Sequence, residues 1–336
     1  MNQIPLIGLG LANIGTSGKI LDVFYPIIAF KDGDQESSNL YESWNQLMES
    51  GVMEIQNPDA LHLKDEAILS SLNVLDSNVR LILCRLLEDE KVSNVEEAYL
   101  KLHLLSYKFF QPNTLNLENL FNTLPNVAWT NAGPVELKDI HLAILESKKT
   151  CSSLEITSID KFPRLTDYIV PPGVRIADTS RVRLGAYLSE GTTVMHEGFV
   201  NFNAGTLGAA MIEGRISAGV IVGKNSDLGG GSSTMGTLSG GNHVKISVGE
   251  NSLLGANAGL GIPLGNNCIV EAGLYLTGSC KVEVFDKNMK SQGIVKAEQL
   301  SNKDNLLFIR NSLSGGIEAR VNIKSIELND VLHHNQ

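Results

Sequence analysis

No stretch of this 336-residue sequence approaches the roughly 18 consecutive apolar residues that a membrane-crossing helix requires. Its start, MNQIPLIGLG, lacks a charged segment followed by a long apolar one, so a soluble, unexported, cytoplasmic protein is expected. Cysteine is sparse. Cys84, Cys151, Cys268 and Cys280 stand far apart, with no CxxC pair and no histidine at metal-ligand spacing, which points to reduced, buried thiols. Basic charge is short as well: 27 Lys and Arg against 37 Asp and Glu give a net charge of −10. A sequence-independent nucleic-acid binder needs clustered cations for phosphates, so the expected partners are small molecules, with neither nucleic acid nor membrane among them.

What the sequence holds in excess is glycine, 32 residues concentrated in the second half, which calls for frequent tight turns there. The first 165 residues read as a mixed α/β domain. IPLIGLGLANIGTSGKILDVFYP carries two apolar segments around Thr16-Ser17-Gly18-Lys19, the pattern of a hairpin. Its Gly8, Gly10 and Gly15 do not make a nucleotide loop, because Thr16 stands where a phosphate-binding loop needs lysine; these glycines read as turn residues. Asp76-Ser77-Asn78 before VRLILCRLLEDE, and a capping box from Ser93 to Glu96 before EEAYLKLHLLSYKFF, predict two amphipathic helices. His62, His103 and His141 lie singly and read as structural. Pro163 and Pro171-Pro172-Gly173 place the domain boundary near residue 165.

From Ile176 the period becomes six. Ile176, Val182, Leu188, Val194, Val200, Thr206 and Ile212 fall in one register, which slips and resumes at Ile216, Val222, Leu228 and Thr234. It continues through Val248, Leu254 and Leu260, then slips again to Leu264, Val270, Leu276 and Val282. Six matches neither the helical period of 3.6 nor the strand period of 2. It predicts a parallel β-helix whose short strands stack coil on coil, with about 18 residues per turn and roughly six coils. The first slip leaves ten residues between Thr206 and Ile216 where two hexads need twelve, and Glu213-Gly214-Arg215 falls inside it. Both charged residues should therefore project from a corner, with Gly214 supplying an unusual backbone. Fourteen residues separate Thr234 from Val248, which reads as a short loop, MGTLSGGNHVKIS, leaving the coil.

The segment GTTVMHEGFVNFNAGTLGAAMIEGRISAGVIVG, followed by DLGGGSSTMGTLSGGN, LLGANAGLGIPLG, VEAGLYLTG and NLLFIRNSLSG, closely resembles the 2,3,4,5-tetrahydropyridine-2,6-dicarboxylate N-succinyltransferases in their longer form. The likeness runs from about residue 166 onward and is weaker before it, through features such as KILDVFYP. It implies a left-handed parallel β-helix over residues 166–290, following the α/β domain of 1–165, and a C-terminal extension of 291–336 that contributes to CoA binding. It also implies a homotrimer with active sites between subunits. The reaction passes succinyl from succinyl-CoA to the amine of ring-opened tetrahydrodipicolinate, L-2-amino-6-oxopimelate, in lysine and diaminopimelate biosynthesis.

Residue by residue, the resemblance makes Glu213 of the EGR motif the catalytic group, either as a nucleophile forming an acyl anhydride or as a general base. It sets Arg215 on the succinyl carboxylate, where a guanidinium can make two parallel hydrogen bonds. Gly230, Ser233, Ala256, Glu271, Ala272 and Ser279 would line the acyl-CoA groove, and Lys296 would lie near the CoA phosphates. Ile309, Arg310, Asn311 and Ser312 would close it, with Ile309 standing where a basic residue is common and Lys303 as its substitute. Glu197 aligns with a ligand of a magnesium ion on the trimer axis of some members, but the accompanying aspartate is Ser180 here, with Asp178 two residues earlier. His196 and His243 read as polar support at an interface.

Other readings differ in kind. A carbonic anhydrase on this fold needs three histidine ligands, and the repeat region has two. A structural or filament-forming β-helix would show regular coils without an EGR interruption. A nearer rival is the same fold using acetyl-CoA. Arg215 argues for a carboxylated acyl group, so Arg215→Ala is expected to raise the KM for succinyl-CoA about 10- to 100-fold while leaving acetyl-CoA turnover within about twofold; steady-state kinetics with both donors measures this, and equal losses would refute the assignment.

Overall fold

The computed structural model describes residues 4–237 and 244–323. It divides into two compact units, Met1–Leu104 with Leu115–Pro163, and Leu105–Thr114 with Arg164–Gln336. The stretch from Leu105 to Thr114 groups with the second unit because Ser106 Oγ accepts from the Gly185 amide at 2.8 Å and Asn113 donates to Asn203 Oδ1 and to the Gly219 carbonyl.

The first unit is built on an antiparallel sheet in the order β2-β1-β4-β3, from β1 (Leu6–Ile14), β2 (Ile20–Phe30), β3 (Val52–Glu54) and β4 (Val79–Leu86). The hairpin between β1 and β2 turns at Gly15 to Gly18, and Ser17 and Thr16 donate to the Glu136 carboxylate. Those hydrogen bonds, Ser17 first, hold Glu136 down to about 2. Gly8 and Gly10 are mid-strand, not turn residues: a Cβ on either would meet the Tyr25 ring at 2.7 Å. Residues 79–86 form a central strand where the sequence suggests a helix, since both of its faces are covered, Leu81 and Leu83 packing with the Tyr41 and Trp44 cluster and Cys84 meeting Tyr25, so alternation is lost. Helix α1 (Gln35–Leu47) is capped by Asp34 and buries Tyr41 and Trp44, and the Trp44 indole donates to the Leu61 carbonyl.

Helix α2 (Glu66–Leu72) is short and capped by Asp65; α3 (Val95–Ser106) is the long helix that the sequence indicates. The cap of α3 lies one residue beyond the expected box: Asn94 Oδ1 accepts from the Glu97 amide, while Glu97 accepts from Ser93. α3 is buried all round instead of amphipathic, from Ala98 to Leu105. Lys101 on it is fully buried, yet its ammonium is satisfied by Asp89 at 2.9 Å, Glu97 at 3.5 Å and the carbonyls of Glu90 and Asn116. A second, three-stranded sheet places Val127–Thr130 between Gly133–Glu136 and Ile156–Asp160.

The cysteines divide. Cys84 and Cys268 are buried, but Cys151 is exposed and Cys280 intermediate, and burial pushes the Cys84 thiol up to about 12. Of the three histidines in this half only His103 is in the core; His62 and His141 are at the surface.

The second unit is a three-faced parallel β-helix. One face stacks Ile176, Val194, Ile212, Leu228, Leu254, Val270 and Phe308 in register. The next stacks Val182, Val200, Ile216, Thr234, Leu260 and Leu276, and the third Leu188, Thr206, Val222, Val248 and Leu264. Nearly all these side chains are completely buried. Thr234 and Val248 lie on adjacent faces, so one hexad suffices and the excursion after Thr234 is longer than the sequence suggests; Thr237 bridges Lys245 at its base. Strands Lys281–Phe285, Ser291–Lys296, Leu306–Arg310 and Ile317–Val321 extend the first face as hairpins.

His103 yields a pH prediction. Its Nε2 accepts from the Tyr25 amide at 3.3 Å and its Nδ1 lies 2.8 Å from the Tyr99 carbonyl, an arrangement that suits the neutral ring. Burial, only partly offset by the Tyr99 hydrogen bond, lowers its pKa from 6.5 to about 4. The unfolded chain then binds a proton the folded one refuses, so stability is present above pH 6.5 and is lost as pH falls toward 4. Denaturant unfolding of wild type against His103→Gln should show an extra loss of about 3 kcal/mol across that window in wild type alone; parallel curves would refute it.

Candidate active site

The corner between the first and second faces carries six residues from Val194 to Val200 and six from Leu228 to Thr234, but only four from Ile212 to Ile216. The strands on either side stay in register, so the coil between is short by two residues at its corner. The missing volume is a notch of about 250 Å³ lined by Arg181, His196, Glu197, Gly214, Arg215, Gly231 and Ser232. Gly214 fills the interior position here. It is glycine because of close approach, not because of an unusual φ: a Cβ would sit 2.1 Å from Ser232 Oγ and 2.7 Å from its carbonyl oxygen.

Glu213 enters this corner with its amide donating to the Leu228 carbonyl at 2.8 Å. Its half-buried carboxylate has no hydrogen bond or ion pair among the described residues and lies over Gly230, where a Cβ would be 3.6 Å from Oε2. The Arg215 amide donates to the Ser232 carbonyl at 2.8 Å, and its exposed guanidinium donates from Nε to Ser233 Oγ at 3.3 Å. Glu213, Arg215, Gly230 and Ser233 are thus brought together. An unpartnered carboxylate over glycine backbone can take a proton from a nucleophile, and an exposed guanidinium two residues on in the same corner can hold an anionic substrate.

Above the notch the same corner repeats. Gly230, Ala256, Ala272 and Arg310 occupy equivalent positions in successive coils, each two residues past an in-register pair. Glu271 Oε2 accepts from the Arg310 amide at 2.7 Å and ties the last two together. Ser279 and Lys296 lie across neighbouring strands, where Gly278 accepts from Glu298 and Cys280 from Ala297, and the Lys296 ammonium is 3.2 Å from Glu298. Ile309 is half-buried, whereas Arg310 and Ser312 are exposed. Asn311 serves its own turn, donating to Glu318 and accepting from Leu313 and Ser314. Lys303 stands at another corner, beside Gly265, and is not brought to Ile309.

Glu197 is exposed at the rim of the notch, and its carbonyl accepts from Arg181. Asp178 is committed elsewhere: Ser180 donates to it through both amide and hydroxyl, which with the nearby Arg181 lowers its pKa. His196 is exposed, and His243 lies outside the described residues. Sequence reasoning missed three residues of the notch, Arg181, Gly231 and Ser232. Ser232 Oγ is buried without a hydrogen-bond partner among the described residues. Arg181 precedes Val182 as Arg215 precedes Ile216, a hexad equivalence that would have revealed it.

A family model described as the hexapeptide repeat of succinyl-transferase matches residues 245–278, and one for the middle region of tetrahydrodipicolinate N-succinyltransferase matches 124–164. The 2,3,4,5-tetrahydropyridine-2,6-dicarboxylate N-succinyltransferase of Pseudomonas paraeruginosa is 51% identical over 96% of this chain and 91% of its own. The chain belongs to the tetrahydrodipicolinate N-succinyltransferase family. Its Vibrio cholerae relative is 46% identical over 98% of both chains. A Campylobacter jejuni protein described as a 2,3,4,5-tetrahydropyridine-2-carboxylate N-succinyltransferase has a crystal structure with a TM-score of 0.84, at 32% identity, covering 96% of this chain and 93% of that one. The repeat architecture is therefore that of the left-handed β-helix acyltransferases.

Because Gly214 lies in contact with the next coil, Gly214→Ala should lower stability by about 2–3 kcal/mol as the corner shifts to admit the methyl group. Denaturant unfolding measures this, and an unchanged midpoint would show that the corner is not close-packed.

Proposed function

We propose that this protein transfers the succinyl group of succinyl-CoA to the amine of L-2-amino-6-oxopimelate, giving N-succinyl-L-2-amino-6-oxopimelate and CoA, in lysine and diaminopimelate biosynthesis. The observation that carries the reading is the unpartnered Glu213 carboxylate held over Gly230 beside Arg215, where the coil is two residues short. The amine nitrogen attacks the thioester carbonyl carbon, and the Glu213 carboxylate takes the proton that the nitrogen sheds. The resulting oxyanion is stabilised by backbone N–H groups of the glycine-rich corner. Its collapse breaks the carbon–sulfur bond, and the proton on Glu213 passes to the departing thiolate. Arg215 holds the succinyl carboxylate.

The acyl-CoA runs along the repeated corner past Gly230, Ser233, Ala256, Glu271 and Ala272, where small residues let an extended chain lie against the backbone. Ser279, Lys296 and the turn of Ile309, Arg310, Asn311 and Ser312 hold its far end, which makes 291–336 a CoA-binding extension. The working assembly is a cytoplasmic homotrimer with sites between subunits. Magnesium fits poorly. Each chain offers Glu197 alone of the two acids the resemblance points to, with Asp178 already taken by Ser180, whereas the ion prefers six oxygen ligands. No step is assigned to it.

Thiol release from succinyl-CoA, with and without tetrahydrodipicolinate, tests the reading in wild type and Glu213→Gln. Release that requires the acceptor and falls about 10²- to 10⁴-fold in the variant is the expected result. Release without acceptor, or unaffected by the substitution, would overturn it.

A further inference from the structure

We propose that Arg181 determines acceptor specificity by binding the carboxylate at the end of the acceptor remote from its reacting amine. The inference rests on the succinyl-transfer reading above and extends it to the second substrate.

Four observations converge on Arg181. It lines the same notch as Arg215, so two arginines border one cavity of about 250 Å³. Glu197 at the rim is the one carboxylate among the lining residues, so the notch is net positive and draws anions, of which Arg215 accounts for one, the succinyl carboxylate. Second, Arg181 is rigidly held. Its Nε donates to the Gly198 carbonyl at 3.2 Å, its Nη2 donates to the Glu197 carbonyl at 2.9 Å, and the guanidinium lies 5.9 Å from the centre of the Phe199 ring. Third, these contacts leave its charge unmatched. Nη1 has no hydrogen-bond partner and the side chain makes no ion pair within 4 Å among the described residues; the acids around it are Asp178, bonded to Ser180, and Glu197 at the rim. Its neighbour Arg183, 5.7 Å from the centre of the same ring, is instead engaged by Asn201.

The fourth observation is spacing. Val182 pairs with Val200, and Phe199 with Arg215, so Arg181, Phe199 and Arg215 occupy one position in three successive coils. With adjacent strands about 4.8 Å apart, the two arginine backbones stand about 10 Å from each other, with Glu213 in the corner that Arg215 belongs to. An acceptor whose amine meets Glu213 extends its chain along the notch and carries its far carboxylate toward Arg181. A planar fork with free N–H groups binds that carboxylate by two parallel bonds, which an ammonium cannot reproduce.

The test compares two acceptors with succinyl-CoA as donor: L-2-aminopimelate, which has both carboxylates, and L-2-aminoheptanoate, which lacks the far one. Wild type is expected to prefer the dicarboxylate by about 10- to 100-fold in kcat/KM. Arg181→Gln should lose that preference by raising the KM for L-2-aminopimelate, with the KM for succinyl-CoA and the turnover of L-2-aminoheptanoate within about twofold of wild type. Arg181→Lys, which keeps the charge but not the fork, should recover part of the preference. Retained turnover of L-2-aminoheptanoate also shows that the variant is folded. Equal losses on both acceptors, a rise confined to the KM for succinyl-CoA, or an undiminished preference in Arg181→Gln would each overturn the assignment to Arg181 while leaving the succinyl-transfer reading intact. Wild type that transfers succinyl to neither acceptor nor to tetrahydrodipicolinate would overturn both.

Discussion

Parallel stacking in register is the constraint on which the second unit depends. From Arg175 to Thr277 each strand is two or three residues long and stable only because its neighbours above and below present the same backbone groups and a buried side chain at the same place. A coil can shed residues only at a corner, and only if the strands flanking that corner keep their partners. The four-residue corner from Ile212 to Ile216 meets this condition because Gly214 lets one coil approach the next. What the coil gives up in length becomes a notch at whose corner the Glu213 carboxylate has no partner among the described residues and Arg215 reaches Ser233 Oγ.

The interior polar groups of the stack show how local that exception is. Thr192 and Thr206 bond each other at 2.7 Å, Ser226 Oγ donates to the Gly249 carbonyl, and Ser252 Oγ donates to the carbonyls of Glu250 and Gly265. Ser232, at the foot of the notch, has no such partner. In the first unit the same accounting is complete around Lys101, whose buried charge meets two carboxylates and two carbonyls. An ion sunk that deep would be costly without them. Among the described residues, the buried side-chain atoms left without a partner include Arg85 Nε and Ser301 Oγ elsewhere, and Ser232 Oγ is the one of them that lines the notch.

The repeat was legible because a hexad leaves a signal that neither helix nor strand can imitate, and the shortened corner was legible as a slip in it. The strand from Val79 to Leu86 was not. Its apolar residues fall on both faces, so alternation is lost and it resembles a buried helical segment until its partners β1 and β3 are known. The cap of α3 was misplaced by one residue because Ser93 and Asn94 are both competent caps, and the choice is made by which one the Glu97 amide reaches. In the site, Glu213 and Arg215 could be placed at a corner from spacing alone. That Arg310 continues the line of Gly230, Ala256 and Ala272 could not, because the hairpin of residues 281–296 intervenes before Phe308 returns to the first face.

That return has a consequence for assembly. A parallel coil stack has no intrinsic length, and its last coil offers an unsatisfied rung to any similar edge. Here the strand through Phe308 is followed by an antiparallel one, Ile317–Val321, and then by the hairpin of Lys281–Phe285 and Ser291–Lys296, so polarity is broken where growth would otherwise continue. The segment that carries Lys296 and Arg310 is also a terminator: it converts a potentially endless template into a molecule of fixed height, and a chain lacking it would expose a ready seed for end-to-end polymerisation.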